Sequence, residues 1–322
     1  MSAKLAVVIH AEEEFDWNGG FCRFNDSVTH HQELIVLIRE MLQIGAKVTL
    51  AMDYPFVTSA GGQQVINTFR DQAGEAIEFA AHLHPWVNPP YLETGEDGVA
   101  SELESYPGNL SAELEFEKIQ VLSHAIKRET GLSPVTYLAG RYGIGPNTRR
   151  ILQRLGYRVD LSISAFSNFT HQQGPDFSTF NNRMFQQDQI TYLPHTCSRM
   201  SAFPWASKTL NDHPTLLTGQ DFTTRVVRKM LGVRTYRLSP EGVPLKDLIA
   251  AARHQLKLGH HQLVLSFHSP TVKPGMTPYV SSADEYQTFR ATTLDFIEWF
   301  NRLPDSEMFL PASLAHHGGC YA

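Results

Sequence analysis

His82-Leu83-His84 closes a run of apolar residues, and His10 closes another, two positions ahead of the carboxylates Glu12, Glu13 and Glu14. Two imidazoles and one carboxylate make a donor set that holds a divalent ion and leaves one position open for water. Water on such an ion has a lowered pKa and suits attack on an acyl carbon. At the end of a strand, H-x-H spacing puts both rings on the same side, because side chains alternate. Glu12, His82 and His84 are therefore candidate ligands. The plain alternative for residues 12–14 is a solvated acidic run, the usual fate of consecutive charges, but their place at a strand end favours ligation.

Other groups stand at equivalent places. His268 follows Leu263-Val264-Leu265-Ser266-Phe267 and there can give a proton to a leaving amine or alkoxide; a capped, structural histidine is the bland reading. Arg141 lies in Gly140-Arg141-Tyr142-Gly143, a turn in which a guanidinium either orients a carboxylate or makes a surface ion pair. Trp17, Trp86, Tyr142 and Tyr279 neighbour these motifs. Aromatic faces beside a polar site suit stacking against a sugar ring, and equally suit packing of a barrel mouth.

These residues need a scaffold that gathers strand ends. Short β-branched runs alternate with stretches of helical period, the pattern of a parallel sheet flanked by helices. The pattern predicts strands at residues 5–9, 47–52, 77–81, 135–138, 158–163 and 262–267, with a last one at 309–310. It predicts helices at 34–42 before Gly45, 114–126 before Gly131, about 147–155 before Gly156, 244–258 before Gly259, and 283–301. In such a fold the loops after the strands converge on one face, so residues 10–17, 82–86, 140–143 and 268–270 become neighbours. Residues 87–109 and 164–239 break the rhythm and read as decorated loops. No flexible linker or internal repeat divides the chain, which predicts one domain over 1–322 with an insertion at about 164–239. Three prolines and a glycine in residues 270–280 predict a stiff loop over the site.

Composition narrows the partners. With 27 basic against 33 acidic residues and a formal charge of -6, the chain is not a general polyanion binder, and nucleic acid is not expected. No apolar run approaches the roughly 18 to 20 residues of a membrane span. Cys22, Cys197 and Cys320 are widely spaced and form no C-x-x-C, so neither a disulfide framework nor a cysteine zinc site is indicated. The opening apolar run is short and leads straight into acidic residues, like a first strand and unlike a signal sequence. A cytoplasmic protein is the expectation.

Residues 10–17, 82–86, 137–143, and 267–270 with 274–280 together resemble, in order, motifs of the polysaccharide deacetylase family, carbohydrate esterases that include nodulation-type chitooligosaccharide deacetylases. The resemblance runs from about residue 5 to 300. It implies a distorted (β/α) barrel and one divalent ion, zinc first, with nickel, cobalt, manganese or iron as alternatives. It also implies hydrolysis of an N-acetyl group from an amino sugar or oligosaccharide. By position, Glu12 would be the carboxylate ligand, His82 and His84 the imidazole ligands, and His268 the general acid. Three departures stand out. His10 occupies the place of the family's aspartate base, Leu138 that of an arginine, and Trp86 that of the usual second histidine. His10 can accept a proton when neutral, or close the metal site as a fourth ligand; Glu13 is a substitute base by proximity. The competing expectation is a catalytically degenerate homologue that binds glycans, in which case restoring Asp at 10 and Arg at 138 would not awaken an enzyme.

Overall fold

The computed structural model describes residues 2–219 and 221–316. In chain order its strands are β1 (Ala3–Ala11), β2 (Phe21–Cys22), β3 (Val48–Met52), β4 (Ile77–Leu83), β5 (Val99–Ala100), β6 (Thr136–Ala139), β7 (Val159–Asp160), β8 (Phe185–Gln187), β9 (Ile190–Tyr192), β10 (Cys197–Met200), β11 (Arg234–Arg237), β12 (Gln262–His268) and β13 (Ser306–Met308). The helices are α1 (His31–Gln43), α2 (Tyr54–Thr58), α3 (Ala60–Phe69), α4 (Ala112–Thr130), α5 (Thr148–Arg154), α6 (Pro204–Asp212), α7 (Phe222–Met230), α8 (Leu245–Lys257) and α9 (Ala283–Asn301).

The main sheet runs β12-β1-β3-β4-β6-β7-β9-β8, parallel throughout except where β8 folds back on β9. β13 pairs with residues 3–5 of β1, short of Val7, where β3 begins. The sheet curls, and Leu238 bridges the gap between its ends beside a direct bond from the Val264 N–H of β12 to Thr196 Oγ1 (2.8 Å). The Leu238 N–H donates to the Thr196 carbonyl (2.9 Å), and the Ser266 N–H of β12 donates to the Leu238 carbonyl (3.0 Å). The architecture is the distorted (β/α) barrel that the sequence predicts.

Strand alternation explains both its cores. Along β1, Leu5, Val7 and Ile9 pack outward under the helices, whereas Ala6 and Val8 point into the barrel. Burial on both faces is why β1 reads as an unbroken apolar run. Ala51, Ala80, Leu138, Leu161, Leu193 and Val264 complete the inner packing. Counted on by twos, the inner rows turn polar at the C-terminal mouth: Val8 leads to His10 and Glu12, Ala80 to His82, Leu193 to His195, and Val264 to Ser266 and His268.

Several elements differ from expectation. The strand predicted at 158–163 is only Val159–Asp160, and the last strand ends at Met308. α2 and α3 were not among the expected helices, and Pro55 and Gly61-Gly62 are residue types that interrupt a helical pattern. Pro55 instead sits in the first turn of α2, where its missing N–H costs nothing, and the Asp53 side chain caps that turn by accepting from the Phe56 N–H (2.7 Å). Gly62 lets the backbone of Phe56 come so close that a Cβ would lie 1.6 Å from its carbonyl oxygen. Residues 164–239 are not a decorated loop. They supply β8 and β9 to the main sheet, the antiparallel pair β10–β11, and the helices α6 and α7. Three- and four-residue strands in a polar context carry too few alternations to register as periodicity. Residues 87–109 are largely irregular, with β5 pairing β2. Cys22 and Cys197 are free thiols; Cys320 lies outside the described residues. Among the described residues no helix is long and apolar enough to cross a membrane.

Leu138 is fully buried in the inner core, so the arginine expected to reinstate a family feature has nowhere to put its charge. Leu138→Arg should lower stability by several kcal/mol, the cost of an unpaired buried charge, and restore nothing. Thermal denaturation of the variant checks this; an unchanged midpoint would show that the barrel admits the guanidinium.

Candidate active site

At the barrel mouth Glu12 Oε2 lies 3.4 Å from His82 Nε2 and 3.7 Å from His84 Nε2. All three residues are buried. Donor atoms about 2.1 Å from one tetrahedral ion sit about 3.4 Å apart, so the trio fits a divalent cation. The chemistry of each ring fits as well. His82 Nδ1–H donates to the Leu138 carbonyl (3.0 Å), which leaves Nε2 buried with its lone pair free and no hydrogen-bond partner. His84 Nδ1–H donates to Glu13 Oε2 (2.7 Å), turning its Nε2 toward Glu12. Burial keeps both rings below their usual pKa and hence neutral, the form that ligates.

A second layer holds these groups. Glu13 is fully buried and accepts from His84 and from Trp86 Nε1 (2.9 Å), while its own N–H donates to Asp53 Oδ2 (2.9 Å). Burial lifts the Glu13 carboxyl to about 7 and Asp53 well above its ordinary range, so this pair retains a proton near neutrality. Glu13 therefore supports His84 and does not face the cleft as a free base. Glu12 is fixed through its backbone: its N–H donates to Ser269 Oγ (3.1 Å), Ser269 bonds His30 Nε2 (2.8 Å), and His30 Nδ1 bonds Glu14 Oε1 (3.0 Å). Burial opposes ionisation of Glu12, but His268, His82 and His84 hold its carboxyl below the usual value.

Opposite the trio stands His268. Its Nδ1–H donates to Glu241 Oε2 (3.0 Å), and its ring stacks on Tyr279 at 6.2 Å and 7°. Burial alone would neutralise this ring; the carboxylates of Glu241 and Glu12 outweigh it and raise the pKa to about 9. At neutral pH His268 is protonated and its Nε2 carries a transferable hydrogen. His10 lies between the two halves, with ring centroids 5.1 Å from His82 and 4.7 Å from His268. Burial and the neighbouring rings push His10 well below its usual pKa, so it is neutral.

The cleft has two lobes that share His10, Tyr142 and His268, of about 150 and 190 Å³. Trp17, half exposed, and Tyr279 meet edge to face at 6.2 Å on its rim. Trp86 is only 3% exposed and stacks on His84 at 4.4 Å, so its face is not open to a sugar. Arg141 lines the cleft, yet its guanidinium bonds Glu102 (2.6 Å) and Gln172 (2.9 Å): the ion-pair reading of this residue is the observed one. Tyr142 receives a hydrogen bond from Arg237 Nη1 (2.8 Å).

Four participants went unread in the sequence. His195 is buried, bonds Ser266 Oγ through Nδ1 (3.0 Å) and leaves Nε2 without a partner. Its signal was present, an apolar strand Ile190-Thr191-Tyr192-Leu193 followed by Pro194-His195. Asp53 likewise follows directly on β3. Glu241 and Arg237 had no local signal, since their roles come from packing against distant residues.

No family model and no curated protein matches the chain. Solved structures do. A probable polysaccharide deacetylase from Pseudomonas aeruginosa PAO1 superposes with a TM-score of 0.52 at 13% identity, over 98% of this chain and 90% of the other. An allantoinase gives 0.50 at 12% identity over 98% and 89%. The 4-alpha-glucanotransferase of Thermococcus litoralis gives 0.53 at 12% identity over 97% of this chain, which spans 40% of that one. These likenesses establish the polysaccharide deacetylase fold, a fold that also serves other chemistry.

Two outcomes are expected. Glu13→Gln, which replaces one of the carboxyl oxygens that accept from His84 and Trp86, should weaken divalent-ion binding at the candidate site about 10- to 100-fold without loss of fold, as read by competition against a coloured chelator; unchanged affinity would detach Glu13 from that site. Glu14 provides a pH test. Burial works against ionising it, but hydrogen bonds from His30 and Thr29 hold its carboxyl at about 2, against an ordinary value of 4.5. A depressed folded pKa stabilises above the ordinary value and ceases to do so as pH falls toward the folded one. Between pH 4.5 and 2 the urea midpoint of the native chain should therefore fall more steeply than that of Glu14→Gln.

Proposed function

We propose that the chain is a divalent-metal-dependent hydrolase that removes an N-acetyl or related acyl group from an amino sugar or oligosaccharide. The observation that carries this reading is the arrangement of two neutral imidazoles and a carboxylate, Glu12, His82 and His84, across one small cleft from a protonated histidine. Bound there, the ion supplies Lewis acidity toward an acyl oxygen and a lowered pKa for water.

The chain's own residues supply the rest. Neutral His10, between the trio and His268, accepts the proton of the attacking water at a ring nitrogen. His268 then delivers its Nε2 proton to the leaving amine nitrogen, with Glu241 fixing the ring through Nδ1–H and stabilising its charge. Trp17 and Tyr279 on the rim take the sugar ring against their faces. Phe15, Phe21 and Trp86 pack together behind His84 and exclude water from the floor.

One observation favours a second reading. His10, Glu12 and His268 also bring a ligand atom each within 4.8 Å of one another. If His10 completes the metal's shell, no position remains for water, and the chain is a glycan-binding relative.

Elemental mass spectrometry of the purified chain, with acetate release from acetylated chitooligosaccharides, separates these. The proposal expects about one metal ion per chain, lost when His82 and His84 are both alanine. His268→Gln should keep the metal while kcat falls about 10²- to 10⁴-fold. A small amide belongs in the substrate panel, because an allantoinase shares the fold. Metal without turnover of any substrate would put the binding protein first; absence of stoichiometric metal would end the hydrolase reading and likewise leave the degenerate, glycan-binding relative in front.

A further inference from the structure

The helix α7 buries none of its nine residues. On one side of it Phe222, Val226 and Met230 recur every fourth position and are 81%, 38% and 75% exposed. A helix of a soluble protein turns such a stripe inward; here it faces solvent. Arg225 and Lys229 are exposed on the same side, between the apolar residues. The patch extends onto the start of α6. The Ala202 N–H donates to the Leu231 carbonyl (3.1 Å), which sets Phe203 and Trp205 beside the end of α7, and they are 45% and 65% exposed. Arg225, Arg228, Lys229 and Arg234 line an open cleft of about 490 Å³ at the foot of this patch.

Charge identifies what covers it. Residues 201–236 contain five basic side chains (Lys208, Arg225, Arg228, Lys229, Arg234) and two acidic ones (Asp212, Asp221), in a chain whose formal charge is -6. An exposed apolar stripe rimmed by Lys and Arg, with aromatic residues at its end, matches the chemistry of an interface bearing anionic headgroups. A second copy fits less well. A symmetric contact through this face would set Arg225 and Lys229 against their own counterparts. We propose that α7 and the start of α6 form a peripheral docking face for an anionic lipid surface, with Phe222, Met230 and Trp205 entering the headgroup boundary and Arg225 and Lys229 meeting the phosphates. This inference stands apart from the metal site.

Flotation of the full chain with vesicles of phosphatidylcholine alone, or with about 30% phosphatidylglycerol, tests it. The chain should float with the anionic vesicles and stay behind with the neutral ones, and added salt should weaken the association. Phe222→Ser with Met230→Ser, and separately Arg225→Glu with Lys229→Glu, should each reduce binding about tenfold or more. Because these side chains are exposed, circular dichroism and thermal midpoint should not change, so lost binding is not lost fold. Failure to float with either vesicle overturns the proposal, as does binding that both variants retain. A dimer in light scattering that the Phe222/Met230 variant dissolves would assign the face to a second copy instead.

Discussion

Glu12 is a carboxylate almost wholly removed from water, and everything around it answers that constraint. A charge in such a place needs partners whose summed attraction replaces its hydration. His82 and His84 face it with neutral lone pairs, and His268 faces it as a cation. Only the last is a full countercharge, so a carboxylate and two unprotonated donors remain pointed at one spot. A divalent cation satisfies all three at once. The buried Nε2 of His82, with no partner of its own, is the sharpest sign of that demand.

Burial holds the rings neutral, but aiming their lone pairs requires more. Each imidazole of the trio has its Nδ1–H tied to a fixed acceptor, the Leu138 carbonyl for one and Glu13 for the other. Glu13 in turn sits against Asp53, and the proton they retain keeps two carboxyls compatible inside a dry wall. Asp53 also caps α2, so the position of a helix, the orientation of His84 and the aim of its lone pair are set by one chain of contacts.

Much of this was legible because period-2 alternation fixes which residues face the barrel. Once residues 5–9, 77–81 and 262–267 read as strands, His10, His82 and His268 had to appear at neighbouring ends, and they do. Legibility failed where a role depends on what lies opposite. Glu13 stood beside Glu12 in sequence and was read as a substitute base, yet the alternation that turns Glu12 inward turns Glu13 away. Trp86 looked like a sugar platform and is packed on His84. Glu241 stands 27 positions from His268 in a loop with no pattern of its own. His195 carried the same strand-end signal as the others, but β9 is three residues long in a polar segment, too short to mark its end.

The two halves of the cleft come from different parts of the chain. The trio and its supports lie on β1, β3 and β4 and the loops after them, a regular scaffold whose geometry the parallel register dictates. His195, Arg237 and Glu241 lie in or just after the segment 164–239, and Leu238 between the latter two joins the Thr196 carbonyl to β12, alongside a direct bond from the Val264 N–H to Thr196 Oγ1 (2.8 Å). Closing the barrel and positioning Glu241 behind His268 thus draw in part on the same stretch of chain. The candidate ion ligands and the carboxylate behind His268 are set by different parts of the chain, the first by the parallel register of β1, β3 and β4 and the second by the stretch that follows segment 164–239.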